Sequence, residues 1–193
     1  MKAVKYFCSF AGLIIIYSFV GVSEEDEKIY WRKNLKLSWN DFRGVPETNK
    51  PHASLSDYGI NSFDTINNRS VKFTVVSYFH KNKSWIKQGC LSGALLHHEQ
   101  GHFDIAEVYA RKLRKTLKEY HFNLQIIKRD FHRLSDENYA EFGREEALYD
   151  IETNHSKNTI QQRVWEQRIA NELNQLDEYC MPDVMASLPQ NRH

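Results

Sequence analysis

GALLHHEQGHFDIAE, residues 93–107, places three histidines and three carboxylates within fifteen positions. Leu95, His98, His102, Ile105, Ala106, Tyr109 and Leu113 recur at the spacing of one helix face, which predicts a helix from residue 92 to about 120. His98 and His102 therefore lie in the apolar stripe of that helix, where imidazoles need hydrogen-bond partners or a metal. The chain changes texture here: helical period dominates after Gly89 and β-type alternation before it.

Working outward, SVKFTVVSYF (70–79) alternates Val71, Phe73 and Val75 with Lys72 and Thr74, the period-two pattern of a half-buried strand. LKLSW (35–39) and SLSDYGINSF (54–63) read as further strands, NNRS as a turn and GVPETNKPHAS (44–54) as a long loop. On the C-terminal side, SDEN (135–138) offers Ser135 or Asp136 as an N-cap leading into YAEFGREEALYDIET. NTIQQRVWEQRIANELNQLDEY is a last amphipathic helix, with Ile160, Val164, Trp165, Ile169 and Leu173 expected inward. The expected class is α+β: a small antiparallel sheet in the N-terminal half, followed by about three helices packed on it.

Lys2 and Lys5 precede the apolar run YFCSFAGLIIIYSFVGVS, which exits on Gly21 and Ser23 before the acidic EEDE. This is the pattern of a secretory signal peptide, expected over residues 1–23, with one domain over 24–193 and a secreted or periplasmic destination. The apolar run is shorter than the ~20 residues that span a bilayer, so no stable membrane span is expected after cleavage. A net charge of +1 gives no electrostatic case for nucleic acid. Cys90 and Cys180 are open to two readings: a disulfide closing a long loop, or two free thiols.

His98-Glu99-Gln100-Gly101-His102 is an H-E-x-x-H motif. Residues four apart on a helix lie one turn above each other, so two imidazoles can share one Zn²⁺ at about 2.0–2.1 Å. Glu99 can then take a proton from water that the metal acidifies to a pKa of about 7, the metallopeptidase reading of the motif. Gly101 costs ~1 kcal/mol against alanine inside a helix, which leaves two readings: close approach of another segment beside the metal, or a glycine that is merely tolerated. His97 should point away into solvent. Asp104 and Glu107 lie round the helix, as surface charges or as partners of Arg111, Lys112 or Arg114.

A catalytic zinc needs a third protein ligand and one open position. REEALYDIETNH (144–155) supplies the candidates, and two readings compete. Glu146 and Asp150 share one face if the helix runs on, offering one ligand and one supporting carboxylate. Alternatively the helix stops near Thr153 and His155 turns back to the metal, with Asp150 orienting a ligand histidine or ligating directly.

LSWNDFRG (37–44), SWIK (84–87), LLHHEQGHFDIAEVYARKLR (95–114) and YDIETNHSKNTIQQRVWEQRI (149–169) resemble a bacterial domain-of-unknown-function family described as predicted secreted zinc-dependent proteases. HEQGHFDIAE is the most specific part. The resemblance implies a zincin-like domain with H-E-x-x-H on the first long helix, His98 and His102 as ligands and Glu99 as the catalytic base. It also favours His155 or Asp150 over Glu146, through the family's Y-D-x-x-T-x-H pattern at Tyr149, Asp150, Thr153 and His155. A glycine commonly follows that last histidine, where this chain has Ser156.

The expectation is thus a zinc-dependent hydrolase acting on a peptide or protein substrate. His155 is placed as third ligand, Asp150 as its supporting carboxylate and Tyr149 as an oxyanion donor. The alternative is a non-catalytic envelope protein with a structural zinc or an interaction role.

Overall fold

SVKFTVVSYF is the middle of the molecule. The computed structural model describes residues 27–47, 49–66, 70–123 and 125–187, and in it this segment forms β4, Ser70–His80. The strand β3, Tyr58–Ile66, runs antiparallel along one whole edge of β4. The other edge is shared. Residues 70–74 pair with β6, Asp183–Ser187, and residues 78–80 pair with β1, Lys28–Tyr30, both antiparallel. A separate two-stranded ribbon joins β2, Ser54–Leu55, to β5, Trp85–Ile86.

Three helices follow: α1, Gly93–Glu119; α2, Ile127–Thr153; and α3, Thr159–Gln175. The architecture is α+β, antiparallel sheets and then three helices. Ser92 starts α1 by accepting the amide of Leu95 on its Oγ at 3.1 Å, satisfying one of the free N–H groups of the first turn. The alternation of β4 then decides what α1 meets. Val71, Phe73 and Val75 are fully buried in one cluster with Ile105, Ala106, Leu113 and Leu117 of α1. Each such side chain contributes roughly 1.5–3 kcal/mol on burial. A second cluster, Leu37, Phe42, Phe79 and Phe103, seats the start of α1 on the loop that precedes β2.

Several local expectations are corrected. LKLSW is not a strand: the Leu37 amide donates to the Gln100 side chain at 2.7 Å rather than to a neighbouring strand, and a 3₁₀ turn follows at Trp39–Asp41. SLSDYGINSF divides between β2 and β3. The second helix begins at Ile127, not at Ser135, because Ile127, Phe131 and Leu134 carry its buried face back into the core. On α3, Ile160 and Val164 are exposed while Gln162, Trp165 and Ile169 are buried, so the inward stripe is rotated from the one expected. Of the two readings for Glu107 the partner one holds: it is buried and paired with the equally buried Arg111 and Arg114, each at 2.9 Å. Cys90 and Cys180 are both free. The expected signal segment, residues 1–23, and residues 67–69 of the NNRS turn lie outside the described residues. Among the described residues, no helix is long and apolar enough to cross a membrane.

Candidate metal centre

The face of α1 carrying His98 and His102 meets the face of α2 carrying Glu146 and Asp150. Because α2 runs unbroken to Thr153, Glu146 and Asp150 lie one turn apart on the same side. His98 Nε2, His102 Nε2 and Asp150 Oδ1 form a triangle with sides of 3.1, 3.2 and 3.2 Å. A tetrahedral ion with bonds of about 2.0–2.1 Å needs donors about 3.3–3.4 Å apart, so this nitrogen–nitrogen–oxygen set fits Zn²⁺.

The other nitrogen of each ring is also held. His102 Nδ1 lies 2.5 Å from Glu146 Oε2 and 3.0 Å from the Tyr58 hydroxyl, which itself donates to Glu146. His98 Nδ1 lies 3.3 Å from Gln162 Oε1 and 3.4 Å from Thr153 Oγ1. Metal-binding histidines need this arrangement, an acceptor behind the ring that turns the other nitrogen toward the ion.

Charge follows the same geometry. Burial opposes a charged His102, but its hydrogen bonds with Asp150 and Glu146 outweigh burial and raise it to about 10. Burial would raise Asp150; the hydrogen bonds from His102 and His98 instead hold it well below the usual carboxylate range. Burial, then the negative charge of Glu146, pushes Tyr58 well up, so it remains a neutral donor. The centre is built to stabilise positive charge.

Glu99 sits beside the triangle, buried, with both oxygens occupied. Ser54 Oγ donates to Oε1 at 2.6 Å and Ser56 Oγ to Oε2 at 2.5 Å. The two serines alternate across Leu55 and so point the same way from the β2 edge.

His155 follows the end of α2 in an unusual conformation. Asn154, His155 and Ser156 all have positive φ, at 48°, 48° and 73°. Left-handed backbone costs a non-glycine residue of order 1–3 kcal/mol and persists where surrounding contacts require it. Here the His155 amide donates to Asp150 O at 3.0 Å, and its exposed ring brings Nδ1 to 3.2 Å from Asp150 Oδ1. His98, Asp150 and His155 each offer an atom within 4.8 Å of the others. Ser156, at φ 73°, holds a backbone conformation that glycine adopts more readily.

Tyr149 is fully buried and turned away from the triangle. Its hydroxyl donates to His98 O at 3.1 Å and accepts from Gln162 Nε2 at 2.8 Å. Its ring stacks on His98, centroids 4.7 Å apart and 20° between planes, and closes edge-on against His102. This is the close approach Gly101 makes room for: a Cβ there would lie 2.1 Å from Tyr149 Oη. His97 is exposed, as expected. A cavity of about 550 Å³ lies elsewhere, on the side of α1 carrying Gln100 and Asp104, toward Trp31 and α3.

Sequence reading did not find Ser54, Ser56, Tyr58 or Gln162. Only Gln162 left a trace, as a polar residue in register with Trp165 and Ile169 on the inward side of α3.

No curated protein and no solved structure matches this chain. A family model described as a bacterial protein of unknown function (DUF922) matches residues 80–156, the span from the last residue of β4 through α1 and α2 to the left-handed turn beyond.

Proposed function

We propose that this chain is a secreted or periplasmic zinc-dependent hydrolase, a peptidase, with Glu99 as its general base. The observation that carries the proposal is the donor triangle of His98, His102 and Asp150, with both imidazoles backed at Nδ1. Zinc, when bound, supplies Lewis acidity and brings the pKa of water to about 7. The residues around it do the rest. His98, His102 and Asp150 hold the ion, Glu146 and Tyr58 fix the His102 ring, and exposed His155 is the replaceable donor on the solvent side.

Glu99 accepts the proton of the attacking water while hydroxide adds to the peptide carbonyl carbon. It then returns that proton to the departing amine nitrogen, so one water is consumed and one C–N bond breaks. Ser54 and Ser56 hold the carboxylate in one orientation for both transfers. Tyr149, whose hydroxyl is engaged with backbone, acts by positioning His98.

One observation favours a second reading, a structural zinc without catalysis: with His155 within reach of Asp150, four protein donors can close the coordination. Metal analysis of purified protein, beside digestion of a broad peptide library by wild type and Glu99→Gln, separates the two. Zinc in both proteins with cleavage by wild type alone supports the peptidase. Zinc without cleavage by either supports the structural reading, and absence of zinc from the wild type refutes both.

A further inference from the structure

We infer that Gln162, on α3, is a positioning residue that fixes which nitrogen of His98 faces the metal; this rests on the zinc reading above. α3 contributes nothing to the donor triangle, yet Gln162 is buried against the back of His98. Its amide has two chemically different ends, and its neighbours decide which end faces the imidazole. Nε2 donates to Tyr149 Oη at 2.8 Å and to Glu166 Oε1 at 3.3 Å. Turning the amide over would set its oxygen against the Glu166 carboxylate, acceptor against acceptor.

Tyr149 Oη uses its own hydrogen on His98 O at 3.1 Å, so it too requires a donor from Gln162. Gln162 Oε1 is thereby committed to His98 Nδ1, 3.3 Å away. Thr153 acts in the same sense: its hydroxyl donates to Tyr149 O at 2.6 Å, leaving Oγ1 as a second acceptor 3.4 Å from Nδ1. Two acceptors at Nδ1 require the hydrogen there. The lone pair is then on Nε2, the corner of the triangle. Glu166, Gln162 and Tyr149 thus form a directional chain in which α3 selects the ligating tautomer of a histidine on α1.

The test is zinc affinity by chelator competition, measured beside the melting temperature of the zinc-stripped protein. Gln162→Leu removes the acceptor and should weaken zinc binding about 10–100-fold, the range for losing a ligand's supporting partner. Adding Thr153→Val should weaken it further, whereas Gln162→Glu combined with Glu166→Gln and Tyr149→Phe keeps an acceptor for His98 Nδ1 without facing it with another acceptor, and should bind more tightly than Gln162→Leu in the same background. A purely structural Gln162 would lower the melting temperature and leave zinc affinity unchanged. Gln162→Leu, or the double variant, binding zinc within twofold of wild type overturns the inference while leaving the zinc site standing. If Gln162→Leu does not fold, Gln162→Asn, one methylene too short, is compared with wild type, and equal affinities overturn it. Wild type that binds no zinc removes the site itself and the inference with it.

Discussion

Gly101→Ala should destabilise this protein, although it puts the best helix former in place of one of the worst. On an open helix face the substitution gains about 1 kcal/mol. Here the new methyl group would lie 2.1 Å from Tyr149 Oη, 2.7 Å from Cζ and 3.2 Å from Cε1, and the Tyr149 ring is fully buried. The ring cannot pivot freely, since it is stacked on His98 at 4.7 Å and packed edge-on against Trp165 at 5.2 Å. It must retreat by roughly 1 Å through a close-packed interior, and overpacking of this kind costs about 1–3 kcal/mol.

Retreat also strains the bonds from Tyr149 Oη to His98 O and from Gln162 to Tyr149 Oη, and a buried polar group left unpaired costs about 1–3 kcal/mol. Taking the middle of each range and subtracting the helix gain, the net loss should be about 3 kcal/mol. For a domain of this size that lowers Tm by roughly 5–15 °C. Denaturant titration and zinc competition read the two consequences, stability and displacement of His98, in the same samples. Tyr149→Phe removes the nearest atom but keeps Cζ, so the double variant should be less destabilised than the sum of the singles. A Gly101→Ala protein as stable as wild type, with undiminished zinc affinity, would refute the packing argument.

The remaining predictions concern the ion, the base and the core. Asp150→Asn should weaken zinc binding more than His155→Ala, with Glu146→Gln between or below; zinc retained in Asp150→Asn and lost in His155→Ala would make His155 the principal third donor. Glu99→Gln should keep zinc and lose hydrolysis by about 10²–10⁴-fold or more, since the base is removed and its shape kept; unchanged turnover ends the mechanism. Zinc at a hundred times its dissociation constant should stabilise the fold by about 2.7 kcal/mol, seen as a Tm that falls on adding a chelator. Glu107→Leu leaves the buried Arg111 and Arg114 without their shared carboxylate and should cost about 3–5 kcal/mol while sparing zinc affinity, which separates core stability from the site.

What was legible in the sequence is what depends on neighbours along the chain. The period of β4 and α1, the change of texture near Gly89, and the placement of His98 and His102 on one helix face follow from covalent geometry with a repeat of two or about 3.6 residues. Gly101 was informative for the same reason, because a helix interior makes an unexplained glycine visible, though not its partner. Contacts between distant segments were not legible. The serines that hold Glu99 are 45 and 43 residues away from it, and Gln162 is 64 from His98.

The choice among Glu146, Asp150 and His155 belongs to that second kind. It turned on whether α2 ran on past Thr153 or stopped there, and on which side of it faced α1. The stop near Thr153 was one of the two sequence readings and is where α2 ends, with His155 beyond it; which side faces α1 was not legible. Packing decides the second: Tyr149 fills the space that Gly101 leaves open, with Asp150 beside His98 and His155, and Glu146 behind His102. β1 and β6 went unseen because a short strand is defined by the edge it joins. The tertiary structure decided these features, since each depends on which distant surfaces fit together, and a side chain does not carry that information until its neighbours are in place.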